Sequence, residues 1–199
     1  NKPNKIKNAV LNFITIHTTG LNPYSGSEIY EIASLKAKNG EVLDRFHSYI
    51  KTEKDVPENI ARVHGLEKEN LERAEEVKAV LNDFSDFIGQ NFVVIINPMH
   101  VFLFLDYYLR KHLDLGLNNT VFDIQIISKK VLDDKSYSSI SGLAKKYGVR
   151  IKDIRKLNNR LDIMKDIFYK IVGKLGEQGI NSTFDLKQFQ GKSFTSLKN

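Results

Sequence analysis

Ala9-Val10-Leu11-Asn12-Phe13-Ile14-Thr15-Ile16-His17-Thr18-Thr19-Gly20-Leu21-Asn22-Pro23 is the stretch on which the reading of this chain turns. Its first half is rich in β-branched and aromatic side chains, which fit a pleated, buried surface, so a strand is expected there. From Thr18 to Pro23 the residues carry turn chemistry, and the strand should run into a loop. Working outward, Glu28 to Lys38 and Glu41 to Ile50 flank Asn39-Gly40. Asn-Gly accepts positive φ at both positions and specifies a tight hairpin, which predicts two antiparallel strands.

Pro57-Glu58-Asn59-Ile60-Ala61 opens a short helix with proline in its first turn, where its missing N–H costs nothing. Ala74 to Ile88 is amphipathic, with Val77, Val80, Leu81, Phe84 and Ile88 on one stripe and Gly89 at its end. Phe92-Val93-Val94-Ile95-Ile96 is apolar throughout, as expected of a strand covered on both faces and hydrogen-bonded in parallel. A helix follows Asn97-Pro98 as far as His112, Val121-Phe122 forms a brief strand before Asp123, and helices cover Ile124 to Leu132, Ser138 to Tyr147 and roughly Lys152 to Gly173. This order predicts an α/β fold with a mixed five-stranded sheet flanked by helices. After Gly176 the composition shifts to Gly, Asn, Ser, Thr, Lys and Gln, so residues 1–175 are expected to form one domain and 176–199 a flexible tail or linker.

At 199 residues the chain suits a single domain, and it has no apolar run long enough to span a bilayer and no signal-like opening. A cytoplasmic protein without membrane contact is expected. Cysteine is absent, which excludes disulfides and thiolate metal sites. The net charge of +6 favours a polyanionic partner, or else reflects a lysine-rich proteome.

Thr15-Ile16-His17-Thr18-Thr19-Gly20-Leu21-Asn22-Pro23 resembles the first motif of the DEDDh exonucleases, the proofreading type related to the epsilon subunit of DNA polymerase III, which reads Asp-x-Glu-Thr-Thr-Gly-Leu-x-Pro. Val63-His64-Gly65-Leu66 looks like the family's Thr-Gly-Ile/Leu turn, Ile95-Ile96-Asn97 like its second motif, Val121-Phe122-Asp123 like its fifth strand, and Ser136-Tyr137-Ser138 to Gly148-Val149 like the helix pair ahead of the third motif. The resemblance implies a ribonuclease-H-like fold in which carboxylates bind two metal ions and a histidine acts as base. Such paired metals activate water and neutralise the leaving oxygen in phosphodiester hydrolysis.

The carboxylates are the residues this sequence replaces. Thr15 stands at the first-motif Asp position and His17 at the Glu position; spacing from Asn97 puts Val101 at the second-motif Asp. Anchoring the third motif on Phe168 puts Arg155 at its His and Arg160 at its Asp, and a small slip in that register would reach Asn159 or Asp162. Hard divalent cations need anionic oxygens, and arginines repel them, so no catalytic residue and no metal cofactor are expected. Magnesium or manganese would enter only if displaced acids such as Asp123, Asp162 or Asp166 rebuilt a site for an active 3′-5′ exonuclease.

The resemblance therefore implies a pseudo-exonuclease that binds single-stranded DNA or RNA ends, or a replication or repair protein, through Thr18, Thr19, Gly20, His64, Asn97, Arg155 and Arg160. Other readings compete at several of these positions. Thr15 and Val101 stabilise a retired site; the arginines lie on a solvated helix face or replace the metals as phosphate ligands. Gly20 supplies an unusual φ in a purely structural turn, or helps to shape a strand-binding loop. His17 and His100 are hydrogen-bonded side chains or a transition-metal pair. Tyr107, Tyr108, Arg110 and Lys111 form a basic-aromatic helix patch, half of which must be core. His47 and His112 invite no chemistry, nor does His64 beyond its place in the turn. A structural subunit without nucleic-acid contact is the third alternative.

Overall fold

The computed structural model describes residues 4–134 and 139–191. Strands β1 (Leu11–Thr18), β2 (Ile29–Lys38), β3 (Glu41–Tyr49), β4 (Phe92–Ile95) and β5 (Val121–Asp123) form a five-stranded sheet in the order β3-β2-β1-β4-β5. β1 pairs antiparallel with β2 and parallel with β4, and β4 pairs parallel with β5. The mixed sheet expected from the sequence is present. At the hairpin tip Asn39 and Gly40 both have positive φ, 52° and 83°, as the Asn-Gly pair requires.

Helices cover both faces: α1 (Glu58–His64), α2 (Lys68–Glu72), α3 (Val77–Ile88), α4 (Pro98–Leu113), α5 (Ile124–Leu132), α6 (Ile140–Lys146), α7 (Leu157–Glu177) and α8 (Thr183–Gln190). Every residue of β1 is buried, because this central strand has a core on each side. Leu11 and Phe13 belong to a core with Phe168 and Ile171 of α7, whereas Ile14 and Ile16 belong to one with Phe84 of α3 and Phe104 of α4. Strand side chains alternate, so Thr15 and His17 continue the Leu11/Phe13 face and lie under α7. That parity positions the site.

Three expectations need correction. The segment from residue 176 is not a tail as far as it is described: α7 continues to Glu177, and α8 is closed by a capping box between Ser182 and Asp185. Gln190, buried at the end of α8, accepts from Asp123 N at 2.7 Å and donates to Val121 O at 3.1 Å, which fastens the helix to β5. Residues 192–199 lie outside the described residues. Secondly, α7 begins at Leu157 rather than near Lys152, because the Asp153 side chain takes the Arg155 N–H at 3.1 Å and holds a turn there. Thirdly, Gly20 is not among the residues with positive φ; a Cβ there would collide with the Ser27 side chain, so close approach is what demands glycine. Of the helix-pair motif, Ser136, Tyr137 and Ser138 also lie outside the described residues, and α6 is capped by Ser139, whose hydroxyl accepts from Gly142 N at 3.1 Å.

Candidate nucleic-acid cleft

A cavity of about 410 Å³ opens at the C-terminal end of β1, lined by Thr15, His17, Thr18 and Gly20 from β1 and its loop, His64 from α1, Asn97, His100 and Val101 from the start of α4, and Arg160 from α7. Four of the five positions matched to the family's ligands and base, Thr15, His17, Val101 and Arg160, thus meet in one place. Arg155 and Thr19 do not line it. Arg155 precedes α7 and lies on the surface, with Nε and Nη2 each 2.9 Å from an oxygen of Asp153. Thr19 is a turn residue: its backbone N–H donates to Glu28 O at 2.8 Å and its Oγ1 accepts from Glu28 N at 2.9 Å.

Arg160 reaches the cavity because it lies three residues after Leu157 and four before Met164, on the buried stripe of α7. Its Nη1 donates to Thr15 Oγ1 at 3.2 Å, and its Nη2 stands 3.5 Å from His17 Nε2. Arginine can only donate, so His17 Nε2 is the acceptor and His17 Nδ1–H donates to Glu31 Oε2, at 2.8 Å. A relay results: Glu31 carboxylate, His17 imidazole, Arg160 guanidinium. The second Glu31 oxygen accepts from His47 Nε2 at 2.8 Å. Burial alone would raise the Glu31 pKa, but the hydrogen bonds from His17 and His47 outweigh it and hold the carboxyl below its ordinary value. Burial pushes the Arg160 pKa down while Glu31 pulls it back up, and the buried Nε of Arg160 has no hydrogen-bond partner.

Two further imidazoles, His64 and His100, face the same cavity. The His64 ring stacks on His17 with centroids 4.0 Å apart and planes 5° from parallel, and its Nδ1 meets the Tyr30 hydroxyl. Burial, then the neighbouring His17 and Arg160, lower its pKa to about 4. Thr18 Oγ1 donates to Gly20 O at 2.6 Å, so His100 Nε2, 3.3 Å away, donates to Thr18. Burial and Arg160 lower the His100 pKa as well.

Among the described residues, no Asp or Glu lines the cavity. Asp162 is held by Arg45 and Lys152 on the outer side of α7, Asp166 pairs with Lys165, and Asp123 caps α5 by accepting from Gln125 N, with burial raising its pKa to about 6. Among the described residues, no group of three or more His, Cys, Asp or Glu is placed to hold a metal ion. The side chains at the four matched positions that meet here, one hydroxyl, one imidazole, one isopropyl group and one guanidinium, do not fit a pair of hard divalent cations. The helix patch resolves as its spacing required: Tyr108 is buried and its hydroxyl accepts from Ile29 N at 2.9 Å, Arg110 bonds Asp106, and Tyr107 packs on Tyr24 with Lys111 over its ring.

Sequence reading places Tyr30 and Glu31 on the second strand without a role in the site, and gives His47 none either. A single acid in the apolar run Ile29-Tyr30-Glu31-Ile32-Ala33, directly opposite His17 in the antiparallel register, was the available signal.

A family model described as Exonuclease, RNase_T, matches residues 16–153. The chain belongs to this exonuclease family. The DEDDh resemblance read from the motifs therefore stands. Among the family's curated proteins, the chain is 24% identical over 193 residues to DNA polymerase III PolC-type of Thermotoga petrophila, and 28% identical over 185 residues to that of Staphylococcus haemolyticus. These alignments cover 96% and 92% of the chain but only 14% and 13% of the relatives. The chain thus spans about one seventh of the polymerases it matches. Among solved structures, Exonuclease X in complex with 5′ overhanging duplex DNA superposes with a TM-score of 0.66 at 15% identity, over 91% of this chain and 99% of that one. The zinc-bound form of the E. coli ExoI–ssDNA complex gives 0.68 at 12% identity, over 86% of this chain and 42% of that one. At such identities the likeness shows the fold, and it is the ribonuclease-H-like exonuclease fold that the motifs implied. The zinc-bound neighbour overturns the expectation of no cofactor: a protein of this fold is described with a bound divalent ion, and absence of a cofactor is not assigned to this chain. No helix of the described residues is long and apolar enough to cross a membrane.

Proposed function

We propose that this exonuclease-family domain holds a nucleic-acid strand in its cleft without hydrolysing it by the carboxylate and paired-metal route. One observation carries the reading: Arg160 projects from α7 onto Thr15 and His17, so that a guanidinium occupies the ground between positions where the family's motifs have acids. Two hard cations held by carboxylates stabilise the charge that develops on a phosphodiester under attack. A single guanidinium binds phosphate oxygens through its fork but generates no hydroxide nucleophile. Strand binding is further supported by the lining itself, which has cationic and neutral donors and, among the described residues, no acid. Leu21, 85% exposed, lines the cavity, and Val63 and Met99, exposed beside His64 and His100, add apolar surface on which bases can rest. The replication context of the PolC-type relatives makes a replication or repair protein the partner to seek, with DNA the first strand to test.

The experiment is binding and digestion of labelled single-stranded DNA and RNA by the purified chain. The expected outcome is binding that falls steeply with salt, as phosphate contacts require, with no shortening of the strand in magnesium or manganese. Arg160→Gln should weaken binding roughly tenfold, the loss of a charge-assisted fork. Chelator-sensitive shortening from the 3′ end refutes the proposal, as does absence of binding to either strand.

A further inference from the structure

Arg160 holds unspent hydrogen-bonding capacity. A guanidinium carries five N–H donors. Here one makes a hydrogen bond of ordinary length, to Thr15; a second stands 3.5 Å from an imidazole nitrogen, and the buried Nε has none. No carboxylate lies within ion-pair distance of Arg160 among the described residues; Glu31, its nearest compensation, acts through His17. A part-buried cation without a contacting anion is costly, and a bound anion reduces that cost. The surroundings suit an anion with many acceptor oxygens: His64, His100, Asn97, Gln125 and Ser139 also line the cavity, and Ile96, Val101, Ile140 and Met164 supply apolar wall that strengthens electrostatic attraction inside.

We infer that the cleft takes a terminal phosphomonoester of a nucleic-acid strand in preference to an internal phosphodiester. This rests on the reading of the cleft as a strand site and names the chemistry it selects. An internal diester presents two free oxygens and one negative charge, and it must pass chain out of the cavity on both sides. A terminal monoester presents three oxygens and carries a charge of about −1.5 to −2 at pH 7. Its second charge has two places to go: the unspent donors of Arg160, and the His64 and His100 imidazoles that line the same cavity. A diester brings a single charge to the same guanidinium and imidazole donors, so it gains less from them.

The test uses the full chain, with chelator present, and fluorescence polarisation of a labelled ten-nucleotide thymidine strand in three forms: hydroxyl at both ends, phosphate at the 3′ end, and phosphate at the 5′ end. At least one phosphorylated form should bind roughly tenfold more tightly than the hydroxyl form, given an added charge at Arg160 in a partly shielded site, and Arg160→Gln should abolish the difference. The arm that gains identifies which end is read. Equal affinity for all three forms, still dependent on Arg160, overturns the inference and leaves the strand-binding reading intact; no binding of any form overturns both. A preference that survives Arg160→Gln overturns the inference by moving the phosphate elsewhere. Should the variant fail to fold, thermal unfolding of the unmodified chain decides: inorganic phosphate should raise its midpoint and compete with the phosphorylated strand, whereas no shift and no competition overturn the inference.

Discussion

Replacing Glu31 by Gln perturbs the relay at its anionic end. Glu31 is 7% exposed and accepts two hydrogen bonds of 2.8 Å from imidazoles. A glutamine amide keeps one acceptor oxygen and turns an NH2 toward the other ring. His47 is partly exposed and can change tautomer or meet water, whereas His17, 3% exposed, cannot. The oxygen therefore stays on His17, one charge-assisted bond becomes neutral, and the other is lost or inverted. Charge-assisted bonds contribute about 1.5–3 kcal/mol and neutral ones about 1. Arg160 loses the favourable charge of Glu31 as well, so the total cost is about 3 kcal/mol. For a chain of this size that is a fall in thermal midpoint of about 6–12 °C. Glu31 has a folded pKa below its unfolded one, so its stabilisation is present above the unfolded carboxylate range and is lost as pH falls through the folded value. Urea unfolding of both proteins from pH 8 to pH 3 should show a constant gap above about pH 5 that narrows in acid. Equal stability at pH 7, or a gap that widens in acid, would refute the relay.

Three further outcomes follow from named contacts. His64 has a folded pKa of about 4, below the unfolded histidine value of about 6.5, so the unfolded chain takes up its proton first and stability falls as pH drops through that window; His64→Gln should flatten the slope there in the same urea series. Gly20→Ala should destabilise the β1 loop by about 1–3 kcal/mol because its methyl meets the Ser27 side chain, and a double-mutant cycle with Ser27→Gly should recover most of the loss. Gln190→Ala removes two buried hydrogen bonds to β5 and should cost about 2–3 kcal/mol in chemical denaturation, an effect that a loose tail would not produce.

The fold was legible because its signals are local. An apolar run ending in Thr-Thr-Gly, an Asn-Gly pair and a short all-apolar segment each restrict one strand, and helix periodicity gave the layers. Residues 176–191 differ from expectation because α8 is polar in composition: it is held by its capping box, by Gln190 and by a narrow apolar contact through Leu186 and Phe189, and composition registers neither caps nor so narrow a stripe. The site was legible in part. Thr15 and His17 could be placed by strand parity, and Arg160 by its interval from Leu157 and Met164, which puts it on the buried side of the helix, whereas Arg155 lies before the helix starts and escapes that rule. Glu31 was hidden because its role depends on strand register: only once His17 faces it across β1 and β2, with His47 adjoining from β3, does one carboxylate become the counter-charge for the whole cleft.

The same geometry explains how a cation can persist where the family's acids stood. A part-buried guanidinium placed between Thr15 and His17 without compensation would carry part of the cost of a buried charge, appreciable against a total stability of about 5–15 kcal/mol. Glu31 offsets it from behind the imidazole, one ring away and outside the cavity lining, so the front of Arg160 is left for an incoming anion. Moving the carboxylate into direct contact would stabilise the domain further and close the site. Substituting Thr15→Asp does this in one step: the new acid should pair with Arg160 at the position of the present 3.2 Å contact, raise the unfolding midpoint, and weaken strand binding by at least the roughly tenfold expected for loss of Arg160 itself. A variant more stable yet equally tight would mean that phosphate is held elsewhere on the domain.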